Sequence, residues 1–117
     1  MTNIFQKTAT ALATLSPAIP YALDVYLKSD AGDLPATYIT YSLIDSTVEQ
    51  SADNVEKLRE YVMQISIYST AGLASLPNVD AAMIAAGFVK GSERQLPRDA
   101  ETRHFGLATD YHYYIDL

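Results

Sequence analysis

The chain closes on HFGLATDYHYYIDL, residues 104–117, which holds both histidines of the protein, His104 and His112, together with Asp110 and Asp116. If residues 107–115 form one strand, Asp110 and His112 project from the same face, because side chains alternate along a strand. A carboxylate and an imidazole at that spacing can share a proton or hold a divalent ion. The set is incomplete as chemistry. A hydrolytic zinc site takes about three protein ligands and an open position, and no H-x-x-x-H pair or nearby acidic doublet supplies them. Tyr114 and Asp116 continue the same face, which is the pattern of the solvent side of a strand. Asp110 and His112 are therefore read as a solvated face, and a small hydrolase built on them is the weaker alternative.

Other reaction classes find no better footing. The nucleophile elbow G-x-S-x-G is absent, and Ser92, after Gly91, lies in a polar stretch with no patterned base. The five glycines stand at 32, 72, 87, 91 and 106, which matches neither the dinucleotide nor the P-loop spacing. There is no cysteine, so thiolate metal sites, thiol nucleophiles and disulfides fall away together. No catalytic residue, metal or cofactor is expected.

Length and charge narrow the class further. A chain of 117 residues, 49% hydrophobic, fits one domain spanning residues 1–117. Fourteen acidic residues against eight basic ones give a net charge of −6 without a run of Lys or Arg, so tight nucleic-acid binding is disfavoured. The N-terminal apolar stretch is broken by Thr, Gln, Lys and Pro well short of the ~20 residues of a membrane span. The reading is a soluble, unexported protein with no membrane partner.

The elements that would position these residues follow from periodicity. Ile4, Phe5, Ala9, Leu12 and Leu15 fall three and four apart, Thr2 or Asn3 caps the start, and Ser16-Pro17 stops the first helix. YALDVYLK, residues 21–28, alternates with Tyr21, Leu23, Val25 and Leu27 on one face and reads as a strand. Residues 37–50 and 60–69 alternate likewise and pair antiparallel as a long hairpin with its tip near Asp53-Asn54, a dipeptide that tolerates left-handed backbone. Val55, Leu58 and Val62 also fit a helical spacing, but the turn signal favours the hairpin. Leu76, Val79, Met83 and Ala86 mark a second helix, with Pro77 in its first turn and Gly87 at its end. Phe88 and Val89 open a further strand, residues 91–103 read as a polar loop, and the closing strand turns Thr109, Tyr111, Tyr113 and Ile115 to one side.

The order is α-β-β-β-α-β-β. It predicts an α+β domain with an antiparallel or mixed sheet of about four to five strands and both helices packed on one face. Nine Tyr and no Trp supply rings that pack while their hydroxyls reach water, a composition suited to sheet rims and subunit contacts. The charged stretches around the hairpin tip and across residues 91–103 read as solvated tips and loops.

This order, with AAGF after the second helix and the closing D-x-E-T-x-x-x-G-L-x-T-D-Y-x-Y, resembles the tail completion or tail-to-head joining (tail terminator) proteins of long-tailed bacteriophages. The residues that carry the resemblance are Gly87-Phe88, Glu101-Thr102 and Asp110-Tyr111-His112-Tyr113, and it covers nearly the whole chain. It implies a homo-oligomeric ring, of six subunits, that ends the tail tube, meets the head connector or stopper protein and sits in the virion at the head–tail interface after assembly in the host cytoplasm. It implies no catalytic residues. DNA would pass the lumen without specific binding, in keeping with an acidic subunit. The residues expected at interfaces are Asp53 and Asn54 at the hairpin tip, Gln95, Arg98 and Arg103 in the polar stretch, and Tyr114 on the closing strand. A monomeric α+β ligand-binding module is the competing reading.

Overall fold

The structure, a computed structural model, describes residues 3–15, 19–24, 35–52, 55–74, 76–100 and 102–116, of which 47–52, 55–57 and 116 are described in their backbone alone. Two helices and five strands follow in the order α1 (Ile4–Leu12), β1 (Tyr21–Leu23), β2 (Thr37–Ala52), β3 (Val55–Ser69), α2 (Val79–Ala85), β4 (Val89–Leu96) and β5 (Phe105–Asp116). The domain is α+β. Its strands form one sheet in the order β1-β2-β3-β5-β4, antiparallel throughout except for the short parallel pair β1–β2.

Strand alternation sets the core. Ile39 on β2, Met63, Ile65 and Ile67 on β3, and Tyr111 on β5 turn to one face, where they meet Ile4, Ala11 and Leu12 of α1 and Val79 and Met83 of α2. Met63, Met83 and Ile39 are wholly excluded from solvent. Each such side chain contributes roughly 1.5 to 3 kcal/mol on burial, so the helix-to-sheet contact dominates stability. Thr8 is buried among them because its hydroxyl donates to the Ile4 carbonyl at 2.8 Å, which leaves no unpaired polar group.

Local signals fix the helix ends. Asn3 caps α1, its side-chain oxygen accepting from the amides of Phe5 and Gln6. The helix stops at Leu12 rather than Leu15: Thr14 and Leu15 tighten into three-residue bonds to Ala11 and Leu12, and Leu15 still reaches the core. Pro77 does not open α2. Asn78 is the cap, accepting from Ala81 at 3.0 Å, and a capping carbonyl outcompetes a proline that merely tolerates the first turn. At the other end Gly87 adopts φ 99°, its amide bonds the Ile84 carbonyl and the amide of Phe88 reaches Met83 at 3.0 Å. That pair of bonds is the left-handed helix stop expected of a glycine there.

Three further expectations meet the structure differently. Residues 91–96 are not loop but part of β4, laddered to β5 from Val89↔His112 to Leu96↔Gly106. The sequence marks the start of this strand at Val89 but not its length, because it is an edge strand exposed on nearly every residue and neither face carries apolar periodicity. Tyr21 and Leu23 share a face as read, yet both remain exposed, and β1 pairs parallel to β2. Val25, Leu27, Asp53 and Asn54 lie outside the described residues. The hairpin itself stands, β2 and β3 pairing from Thr37↔Ser69 to Ala52↔Val55.

The hairpin outruns its neighbours. β5 accompanies β3 only as far as Leu58↔Asp116, and β1 accompanies β2 only from Ile39 to Tyr41. The molecule measures 54 × 27 × 25 Å with a radius of gyration of 15.7 Å, against roughly 13 Å for a compact domain of this length.

The burial pattern makes a direct contrast available on α2. Met83→Ala is expected to cost roughly 2 to 5 kcal/mol because it opens a cavity between helix and sheet. Its neighbour Ile84 is 56% exposed, and Ile84→Ala should stay within roughly 0.5 kcal/mol. Urea denaturation of the two variants, read as a shift in midpoint at constant slope, checks the helix orientation.

Candidate functional site

Among the described residues the sheet has one face covered by helices and one uncovered, and β5 contributes polar residues to both. On the uncovered face His112 Nδ1 lies 3.2 Å from Glu60 Oε2 of β3, and Asp110 Oδ2 lies 3.6 Å from Arg94 of β4. Neither side chain is as free as a solvated strand face implies: Asp110 is 21% and His112 30% exposed, because β3 and β4 flank them with long side chains. The His112 ring lies across β4 at Gly91. A Cβ built there would stand 2.5 Å from His112 Nε2 and 3.1 Å from the Asp110 carbonyl. A glycine inside a strand marks such a close approach.

His104 is elsewhere. It is buried, its ring meets Tyr38 edge-on at 5.0 Å, and its Nε2 lies 2.8 Å from the Pro35 carbonyl, which fixes the proton on Nε2. His112 lies eight positions further along the chain, roughly 27 Å of extended strand. His104, Asp110 and His112 therefore do not converge. Among the described residues no group of three or more His, Cys, Asp or Glu could hold a metal ion.

The covered face carries a second polar constellation that the sequence reading did not single out. The Tyr111 hydroxyl donates to Asp80 Oδ1, the Lys90 ammonium donates to Asp80 Oδ2 at 2.8 Å and to Glu93 at 3.4 Å, and Thr109 donates to Glu93 at 3.4 Å. Asp80, Tyr111, Thr109 and Glu93 line the side of a cleft of about 400 Å³ whose floor is Ile65, Ile67 and Leu107 and whose wall includes Leu76. Burial pushes the Tyr111 phenol well above its ordinary range, and the Asp80 carboxylate beside it pushes it further. Burial by itself raises the Asp80 carboxyl, but the bonds from Lys90 and Tyr111 and the Lys90 charge outweigh it, so Asp80 ends below the ordinary carboxylate range. Both shifts hold each proton where it already sits at neutral pH. The network ties α2 to β4 and β5 as a strut, and neither Tyr111 nor Asp80 is shifted towards neutral pH. The signal that would have found it is the core position of Tyr111, since a buried tyrosine needs a partner for its hydroxyl.

The residues expected at interfaces fall into two separated groups. Gln95 lies on the exposed strand β4, opposite Leu107. Arg98 sits over the Phe105 ring at 5.2 Å, and Arg103, at φ 63°, donates its amide to the Asp99 carbonyl at 2.8 Å in a compact turn that Asp99 also closes through the Thr102 amide. Tyr114 is 46% exposed near the far end of β5, opposite Glu60. Leu107 and Tyr114 are seven residues apart on β5, about 24 Å of strand. The structure thus places Gln95, Arg98 and Arg103 at one end of the sheet and Tyr114 towards the other.

The strut has a pH signature. Because Asp80 lies below its ordinary value in the folded protein, its contribution is complete above the ordinary carboxylate pKa and is lost as pH falls through the lower folded value. Tyr111→Phe should cost roughly 1 to 2 kcal/mol at pH 7 for the lost bond to a charged acceptor, discounted for the partial exposure of Asp80. The difference between wild type and variant should shrink as pH falls below ~4, where the carboxylate protonates. Thermal unfolding of both proteins across that range measures it.

No protein-family model and no curated protein matches this sequence. Fourteen chains of known structure match it. One of them aligns over 97% of this chain and 90% of its own length with a TM-score of 0.51 at 14% identity. A likeness at that identity extends to the fold alone.

Proposed function

We propose that this chain is a structural subunit of a long-tailed bacteriophage, a tail completion or terminator protein that assembles into a ring, closes the growing tail tube and meets the head connector. The observation that carries this reading is the pattern in the sequence: the α-β-β-β-α-β-β order with Gly87-Phe88 after the second helix and Asp110-Tyr111-His112-Tyr113 in the closing strand. The α+β sheet and its helix stop at Gly87 are consistent with it. So is the extended hairpin, since a two-stranded ribbon is marginal in water unless something packs on it. In a ring of six, each subunit at −6, negative lumen walls would repel rather than retain passing DNA. The partners on this reading are further copies of the chain, the tail tube protein and the head connector, and the place of action is the head–tail interface of the virion.

A monomeric ligand-binding module is the second reading, and the cleft floored by Ile65, Ile67 and Leu107 favours it. Solution mass and negative-stain microscopy discriminate the two: rings, alone or on purified tail tubes, support the first, and a protein that stays monomeric at high concentration and binds neither tubes nor connectors overturns it.

The uncovered face supplies a further test. The double variant Asp110→Ala, His112→Ala loses only two part-exposed ion pairs and should fall within roughly 1 kcal/mol of wild-type stability. Tails assembled with it are expected to join heads as wild type does, scored as infectious particles in an in vitro joining assay. Loss of joining with rings intact would give these two residues a functional role.

A further inference from the structure

We propose that copies of this chain join edge to edge, the outer edge of β4 in one subunit pairing antiparallel with the distal outer edge of β2 in the next. This deepens the ring reading above and rests on it.

Two free edges carry the argument. Among the described residues, β2 has a neighbour on its outer side only through Tyr41, where β1 ends and the Asp24 amide bonds the Tyr41 carbonyl. From Ser42 to Ala52 no strand of the described residues lies beside that edge. β4 pairs with β5 on one side and, among the described residues, has no strand on the other along Val89–Leu96. Unpaired strand edges present rows of amides and carbonyls that template pairing with another chain. Here both are long enough to take each other.

Topology chooses the partner. β2 and β4 run in opposite directions within the sheet, since each step from β2 through β3 and β5 to β4 is antiparallel. Extending the sheet with the helices kept on the same side therefore sets β4 antiparallel to the next subunit's β2, the favoured arrangement. The two edges stand at opposite sides of the subunit, so each copy uses both and the contact is head-to-tail, the kind that closes into a ring or runs on as a filament. β1 occupies the lower part of the β2 edge, so each new copy sits higher along the strands, and such a stagger tilts strands as in barrel closure.

Charge selects this pairing over self-pairing of either edge. Residues 42–52 hold Asp45 and Glu49 and no basic residue, whereas β4 holds Lys90 and Arg94 against Glu93 alone. Lys90 and Arg94 are engaged by Asp80 and Asp110 yet remain 33% and 49% exposed. Exposed apolar side chains lie at both edges, Leu43 and Ile44 on β2 and Val89 on β4.

The absence of native cysteine makes crosslinking a clean test. Ser92→Cys is combined in the full-length chain with Ser42→Cys or Ser46→Cys, and each double variant is oxidised mildly alongside wild type and the single variants. The expected result is a ladder of covalent multimers from at least one double variant, ending at the number of subunits in the ring, and dimers only when single variants are mixed. Asp45→Lys should raise the concentration needed for half-assembly by about tenfold or more, through like charges facing Lys90 and Arg94. Rings of wild type without a crosslink in either double variant, or equal crosslinking of Ser92→Cys by itself, overturn the edge assignment and leave the ring reading standing. Neither rings nor crosslinks, alone or on tail tubes, overturns both.

Discussion

The ladder between β3 and β5 is the contact on which the remainder of the structure depends. The last strand of the chain does not sit at the sheet edge. It inserts between β3 and β4, pairing with β3 along twelve residues from Leu58↔Asp116 to Ser69↔Phe105. Without it β4 has no sheet to join, and Tyr111 cannot bring its ring into the core or its hydroxyl to Asp80. Folding must therefore close long-range contacts before the sheet is complete, a topology that folds more slowly than one of local contacts.

That single insertion also divides the chemistry of the protein between two faces. Odd-numbered residues of β5 build the core and, through Tyr111 and Thr109, the polar strut at the cleft. Even-numbered residues face the uncovered side, where Asp110 and His112 meet Arg94 and Glu60 in part-exposed pairs. Such pairs contribute little to stability. Among the described residues the sheet has open edges and an uncovered face at once. Its long hairpin, extending beyond its neighbours, raises the same physical question as the edges: unpaired backbone is tolerated in water but is most useful where another chain completes it.

Among the described residues no acid, base and nucleophile converge around Asp110 and His112, a geometric result of strand extension. A strand advances about 3.3 Å per residue, so residues close in sequence separate quickly unless a neighbouring strand returns to meet them. Here the returning strands offer a carboxylate to His112 and a guanidinium to Asp110.

By itself the sequence determined what depends on local pattern. Alternation in residues 37–50, 60–69 and 106–117 placed three strands and the correct inward face, and helical spacing with Asn3 and Gly87 placed the helices and one cap at each, because period and capping chemistry act within a few residues. The order of elements gave the α+β class. What the tertiary structure alone decided is what depends on distant neighbours. Of β4 only the start at Val89 was legible, because an edge strand exposed on both faces has no apolar signature, and its extent to Leu96 comes only from the β5 backbone beside it. The parallel setting of β1, the insertion of β5 at the centre, the lodging of His112 over Gly91 and the meeting of Tyr111, Asp80 and Lys90 all join residues 10 to 58 positions apart. No local period encodes such pairings, because they are chosen by which edges and faces remain open once the core has been buried.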